Sequence, residues 1–541
     1  MGYYGQPVYI LKEGTERTRG KDAQRNNITA ARAVSEAIRS SLGPKGMDKM
    51  LVDGFGDTTI TNDGATILKE IEVSHPAAKF IIDLAKTQDN EVGDGTTSIV
   101  VIAGELLKQA EDLLDMDIHP STIIEGYKLA RFEINKILDT LAVPVTFEDE
   151  EMLTNVAQTS MASKIVSGEK DILASVVVKA VRAITEDKDG KKFVDIDNIQ
   201  IIKKKGASIS DTNLIDGVVL DKDFVHVDMP KKITNAKILL LDKGLELSKT
   251  EIDAKINISS PEQVQAFLDN EHDMLKEMAD KIIASGANVV LCQKGIDDII
   301  QHYLAKAGIS AVRRIKKSDM EKLARATGAT ISTNLEDLDK FLGETGLVEE
   351  KKIGDDSMII VRECKNPLAV TILIRGGTEM ITDEVERAMH DALCVVRQAI
   401  HDGKVVAGGG SPEIELAFKL GEYAKTQTSK IQLAVDKFSK AMEIIPRTLS
   451  ENAGLDPIDI VSELRAQHSK GKLTFGVDPL GGKIADMGVL KVYEPISVKR
   501  QAIFSASEAA EMILRIDDII ASKELSGGPA PPGGGMPDDM E

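Results

Sequence analysis

Tryptophan is absent from this 541-residue chain, and aromatic residues make up only 4% of it. The core therefore has to be aliphatic, assembled from Ile, Leu, Val, Ala and Met. Cysteine is scarce too. Cys292, Cys364 and Cys394 are far apart, odd in number and form no Cys-x-x-Cys pair. This argues against a disulfide framework or a structural zinc site and fits a reducing compartment. Their apolar neighbours make all three small buried hydrophobes. No apolar run reaches the roughly 18 residues of a membrane span, and no basic stretch leads into an apolar one at the N-terminus. A soluble, cytoplasmic protein is expected, with no membrane partner. Positive charge is short: 67 Lys and Arg face 87 Asp and Glu, a formal net charge of -20. Lys203-Lys204-Lys205 and Arg313-Arg314 are the basic clusters, read as solvated strand edges or turns, and no nucleic acid partner is expected. Gly-x-x-x-x-Gly-Lys-Ser/Thr is missing, so there is no P-loop.

What is present is globular in balance, 42% hydrophobic and 28% charged. At about 150 residues per domain, the length corresponds to three or four domains. The first part is helical with a small sheet. Ile28, Ala31, Val34, Ile38 and Leu42 recur at helical steps until Pro44 and Gly46 end the helix. Strand-like signals fill 50–61, and helices follow over 76–89, after Gly95, and over 121–141. Residues 147–188 read as helices and 197–218 as strands. The middle, 219–369, alternates between the strand 238–241, the strand 289–292, the helix 295–306, the strand 311–315 and the helix 318–327, an α/β pattern. A charged stretch, 244–283, separates its first two strands and is helical in its second half. It is either a crossover helix with a long surface loop or a protruding element whose apolar residues meet something outside the domain. Helices return after Gly376-Gly377, through Val385 to Ile400, then over 412–424, 428–445 and 457–468. Short strands over 472–496 and a last helix over 505–520 follow. The two chain ends share a texture that the middle lacks, so one domain should be built from both ends with the middle inserted. The Gly- and Pro-rich tail, 526–541, should be disordered.

Two glycine–acid runs carry the chemistry. One is Asn62-Asp63-Gly64-Ala65-Thr66. The other, Gly93-Asp94-Gly95-Thr96-Thr97-Ser98, opens a long apolar helix. Unpaired N–H donors and the positive end of the helix dipole there meet three hydroxyls and a carboxylate. Phosphate oxygens can take the donors, and the carboxylate suits Mg2+; a simple cap needs one Asp or Thr, not the whole run. In Leu42-Gly43-Pro44-Lys45-Gly46, backbone N–H groups can converge on an anion, although alone the run reads more simply as a helix stop. Asp63, Asp94 and Asp391 are the acids that could share one site. On its own, Asp391 would be an ordinary solvated or capping residue. Its neighbour His390, about 100° round the helix, is read as packed or surface rather than as a base.

These motifs, with Gln88-Asp89-Asn90-Glu91-Val92, His390-Asp391-Ala392-Leu393, Gly408-Gly409-Gly410, Gly476-Val477-Asp478 and Val492-Tyr493-Glu494-Pro495, make nearly the whole chain resemble the group II chaperonins of the archaeal thermosome type. The resemblance implies a multidomain chaperonin fold, both α/β and α-helical. A mostly helical equatorial domain would span 1–146 and 405–525, and a small intermediate domain 147–218 and 370–404. The α/β apical domain would span 219–369, with 244–283 as a helical lid protrusion. It further implies an ATP-dependent chaperone enclosing non-native polypeptides in a double ring, eight subunits per ring, with no separate lid co-chaperonin. Mg-ATP hydrolysis would drive closure. By the same resemblance Gly43 and Gly46, in a loop with Leu42 and Pro44, contact phosphates. Asp94 ligates Mg2+, and Gly95, Thr96, Thr97 and Ser98 surround the phosphates. Asp63 and Asp391 position the attacking water, and Lys164 senses the terminal phosphate. Gly409, Gly410 and Glu494 meet the ribose or base. Ser98 stands where the family commonly has a third Thr, which keeps a hydroxyl. Pro7-Val8-Tyr9-Ile10-Leu11 would be extended, pairing with a neighbour's sheet edge or locally. An acidic, non-enzymatic scaffold or holdase and a monomeric phosphotransferase are the competing readings.

Overall fold

The computed structural model describes residues 15–247, 260–354, 356–364 and 368–522. Pro7–Leu11, the tail 526–541 and residues 248–259 of the charged stretch lie outside them. The chain begins with the helices α1 (Lys21–Arg39), α2 (Gly64–Glu70), α3 (Pro76–Val92), α4 (Thr96–Asp115) and α5 (Pro120–Leu141). A hairpin, Lys49–Val52 with Thr58–Thr61, separates α1 from α2. α4 is apolar almost all round, which suits a helix inside a core. Ile99, Val100, Ala103, Leu106 and Leu107 are inaccessible, and the helix packs against both α1 and α3. Tyr127 of α5 donates its hydroxyl to the Leu106 carbonyl at 2.7 Å and meets Phe438 edge-on at 5.1 Å, a rare aromatic pair in an aliphatic interior.

Next come α6 (Glu150–Met161), α7 (Lys170–Ile184), α8 (Pro261–Ala284), α9 (Asp298–Lys306), α10 (Lys317–Thr327) and α11 (Glu379–Asp402). The chain then adds α12 (Ser411–Ala424), α13 (Ser429–Met442), α14 (Ile444–Asn452), α15 (Pro457–His468) and α16 (Ile496–Leu514). Three large apolar clusters result. One joins side chains from Ile28 to Leu138 with others from Val406 to Leu514. A second joins Val145 to Ile199 with Val370 to Val405. The third lies wholly between Val218 and Ala369.

The third cluster surrounds a mixed sheet ordered Ser310–Val312, Val289–Cys292, Lys232–Leu241, Gly343–Ile353, Asp356–Cys364, Gly217–Leu220, with Ile331–Ser332 also pairing with Lys232–Leu241. Its first three strands are parallel and the long pair after them antiparallel. Ile238 to Leu241 form a continuous buried run, as expected for a strand covered on both faces. α8 connects two of the parallel strands. Leu275, Ala279 and Ile282 are buried as in any crossover helix, whereas Phe267, Leu268 and Met274 remain exposed.

Several elements depart from the sequence reading. α1 stops at Arg39, before Pro44, where the helical bonds give way to tighter ones, Ser41 N–H to Ile38 O at 2.9 Å and Leu42 N–H to Arg39 O at 3.3 Å, ahead of a turn closed by Gly46 N–H to Gly43 O at 2.8 Å. The helix expected over 428–445 is two, breaking at Glu443, and α14 was not anticipated. The last helix runs over 496–514 rather than 505–520, because Pro495 starts it and Ile496, Val498, Ala502 and Ile503 already face the core. Residues 518–522 instead form a strand paired with Thr15–Arg19. Lys203 is ion-paired with Asp383 and Glu386, and Lys204 with Asp221 and Asp356. Cys292 and Cys394 are buried and Cys364 half-buried, all three free. Among the described residues no helix is long and apolar enough to cross a membrane.

Candidate functional site

A cavity of about 250 Å³ opens between the chain ends. Leu42, Gly43, Pro44, Asp94 and Ser98 line it from the N-terminal part, Ser160 from the last turn of α6, Ser163 from just beyond it, and Gly409, Gly410, Asp478, Glu494 and Lys499 from the C-terminal part. Gly43 has φ +83°, and a Cβ there would lie 2.3 Å from Leu449 Cδ2. Only glycine takes that conformation without strain, so the wall can pass close to Leu449. Gly95 precedes α4 and Gly410 precedes α12, and neither end has a capping side chain. The first-turn N–H groups of both helices are therefore not capped from within the fold in the usual way. Ser160 Oγ, in a residue only 7% exposed, has no hydrogen-bond partner among the described residues. Helix N-termini, hydroxyls, an orphaned buried oxygen and the Asp94 carboxylate form a donor set that fits a phosphate chain and a hard cation. Among the described residues no group of three or more His, Cys, Asp or Glu is arranged to hold a metal unaided.

Two charged clusters flank this donor set. In the first, Lys499 of α16 reaches Glu413 of α12 and Glu494, each at 2.9 Å. Burial alone would lower the Lys499 ammonium, but the two carboxylates outweigh it and hold it up. The Glu494 carboxyl is raised by burial against the pull of Lys499, although a quarter of its side chain remains open.

The second cluster lies outside the cavity lining, as do Gly46, Gly95, Thr96 and Thr97. Asp63 caps α2, accepting from Thr66 N–H at 2.9 Å and Thr66 Oγ1 at 2.8 Å, with Thr96 Oγ1 at 3.4 Å from its other oxygen. Thr97 packs on Gly64, where a Cβ would sit 2.5 Å from its Oγ1. Lys164 and Asp391 form an ion pair, both residues more than nine-tenths buried. Burial pushes the Asp391 carboxyl up to about 6; Lys164 and His390 oppose this, while Asp63 and Asp94 reinforce it. Burial would likewise lower Lys164, but Asp391, Asp63 and Asp94 together hold it raised. The structure thus gathers Asp63, Asp94 and Asp391 around one buried ammonium. α11 comes this close because its Cys394 lies directly over Gly93, where a Cβ would sit 2.3 Å from Cys394 Cβ. His390 stays half-exposed with its Nδ1 3.9 Å from Asp391 Oδ1 and 3.9 Å from Cys394 Sγ, and these neighbours, Asp391 first, raise it above its ordinary value.

Sequence reasoning missed Lys499, Glu413 and Ser160, and the bond from Asn62 Nδ2 to the Ser163 carbonyl that ties the first acid run to the Lys164 segment. A lysine amid Ile496, Val498, Ala502 and Ile503 was the available signal, hidden by starting the last helix too late.

The sequence pattern of the TCP-1/cpn60 chaperonin family matches residues 34–524. Thermosome subunit beta of Archaeoglobus fulgidus is 58% identical over 539 residues, 99% of each chain. A thermosome subunit of Pyrococcus horikoshii is 59% identical over 522 residues, 96% of this chain and 95% of that one. Thermosome subunit alpha of Thermoplasma acidophilum is 55% identical over 540 residues, 98% of this chain and 99% of the relative. With the family pattern and near-complete coverage of these subunits agreeing, the chain belongs to the TCP-1/cpn60 chaperonin family.

Proposed function

We propose that this chain is an ATP-hydrolysing subunit of a double-ring chaperone, eight subunits per ring, that encloses non-native polypeptides in the cytoplasm under a built-in lid. The gathering of Asp63, Asp94, Asp391 and Lys164 beside the cavity carries the reading. The equatorial domain would be 1–146 with 405–525, the intermediate domain 147–218 with 370–404, and the apical domain 219–369. α8 and the rest of 244–283 would form the lid.

In this reading Leu42, Gly43, Pro44 and Gly46 shape the loop against the phosphates, with Gly95, Thr96, Thr97 and Ser98 around them. Gly409, Gly410 and Glu494 meet the nucleoside. Asp94 is the ligand for Mg2+, which when bound would neutralise charge on the phosphate oxygens. Asp63 and Asp391 orient the attacking water from two segments of the chain. Lys164 holds Asp391 by charge and would exchange that partner for a terminal phosphate oxygen, so the ion pair reports whether the site is filled. Because Asp391 sits on α11 and Asp94 precedes α4, a shift of α11 toward the cavity would complete the site, coupling occupancy to closure.

The purified protein is expected to hydrolyse ATP only with Mg2+ present, to form double rings in electron micrographs, and to close with ATP. Asp391→Ala rings should bind ATP but hydrolyse it slowly. Wild-type turnover and full closure in that variant would reject a hydrolytic role for Asp391. A monomer without ATPase activity would leave a passive holdase as the better account.

A further inference from the structure

A hydrogen-bonded relay joins α11 to the backbone of Asp63. Glu384, in the second turn of α11, is 1% exposed. Its Oε2 accepts from Arg387 Nε at 2.9 Å and Nη2 at 2.6 Å, and from Thr61 Oγ1 at 3.2 Å. Thr61 is fully buried at the end of the strand Thr58–Thr61. The same Thr61 oxygen accepts the Asp63 backbone N–H at 3.1 Å. One hydroxyl thus donates to a helix carboxylate and accepts from the loop that carries Asp63, a dual role open to a hydroxyl but not to an aliphatic side chain.

Glu384 and Asp391 are seven residues apart on one helix, about two turns, so they lie on the same side of α11. The relay therefore ties the backbone of one acid to the helix bearing the other, across 323 positions of sequence. Among the described residues the buried Glu384 Oε1 has no hydrogen-bond partner.

We propose that Thr61 and Glu384 are positioning residues for ATP hydrolysis, fixing the Asp63 loop against the Asp391 helix. The proposal rests on the reading of Asp63 and Asp391 as the water-orienting pair. Neither residue need touch nucleotide, so ATP affinity should be spared while the hydrolytic step suffers.

Assembled rings of Thr61→Val, Thr61→Ser, Glu384→Met and the Thr61→Val/Glu384→Met double variant decide the matter. A misplacement near 1 Å typically costs on the order of 100-fold, so kcat should fall about 10- to 100-fold in Thr61→Val and Glu384→Met. The dissociation constant for ATP should stay within about twofold, and Thr61→Ser should recover most of the rate. Residues acting through one relay are non-additive, so the double variant should be no slower than the worse single one. Wild-type kcat in Thr61→Val, loss of ATP affinity in step with rate, or losses that multiply in the double variant would overturn the proposal. If Thr61→Val rings do not assemble, Glu384→Met is read by the same criteria. Asp391→Ala run alongside separates the two claims. Full activity there removes the underlying reading, whereas a slow Asp391→Ala beside a normal Thr61→Val removes the relay alone.

Discussion

Lys499 and Lys164 are both buried among carboxylates beside the candidate nucleotide site, yet they are built differently. Lys499 touches two carboxylates at 2.9 Å, and its partners all come from the C-terminal part of the chain, Glu413 from the first turn of α12 and Glu494 from the strand before α16. Lys164 touches one, Asp391, and the other acids acting on it, Asp63 and Asp94, come from distant stretches. The first arrangement is a fixed piece of wall within one core. The second joins four separate stretches, the Lys164 segment, α11 and the loops that carry Asp63 and Asp94, and burial pushes its contact carboxyl up to about 6. The same residue types thus make a brace in one place and, on the proposed function, a switchable contact in the other.

Removing each cation sharpens the contrast. Lys499→Met strands Glu413 and Glu494 together, and breaking a buried ion pair from one side costs about 3–5 kcal/mol. Thermal unfolding of nucleotide-free protein should show a loss of that size, and a loss below about 1 kcal/mol would erase the distinction between brace and switch. On the switch side, Asp391→Asn keeps the volume but not the charge. Single-turnover hydrolysis should slow by about 100-fold, within the range for losing an acid–base or orienting group, which is about 2.7 kcal/mol of barrier. An Asp391→Asn protein that turns over normally but unfolds early would make Asp391 structural, like Glu413.

The brace and the switch were unequally legible in the sequence. Gly93 to Ser98 and Asn62 to Thr66 announced themselves because glycine, carboxylate and hydroxyls are crowded into a few positions. The α4 helix behind the first run was readable from its apolar period. Asp391 carried no local sign and was found by resemblance. Lys499 was missed because a lysine in an apolar stretch reads as a break in the pattern; its two acid partners are 5 and 86 positions away. Strands such as Gly343–Ile353 and Asp356–Cys364 were missed for a related reason. Glu349, Glu350, Lys351 and Lys352 interrupt the alternation, and pairing between the two long strands overrides it. Local patterns reveal elements and loops, whereas ion pairs between distant segments become visible only after folding.

Lys164→Met gives the smallest expected stability change, and its pH dependence is the closest test of the switch. The Asp391 carboxyl is raised from 3.8 to about 6, chiefly by burial. A carboxyl raised in the folded state contributes stability in full below its unfolded value, and that contribution is lost as pH rises through the folded value. Lys164 is the main group opposing the rise, so removing it moves the folded value higher still. Near pH 4 the carboxyl is largely protonated in both proteins, and exchanging a buried ammonium for an apolar side chain should cost little. As pH rises past about 6 the wild type carries a paired carboxylate, while the variant must either keep a proton or bury an unpaired charge. The gap between them should therefore open with rising pH and reach about 1–2 kcal/mol by pH 8 if the folded value shifts by roughly one unit or slightly more. Urea unfolding in Mg2+-free, nucleotide-free buffer at several pH values measures it. A gap that is constant from pH 4 to 8 would mean that Asp391 does not change charge in this range, and that the contact with Lys164 is a second brace rather than a switch.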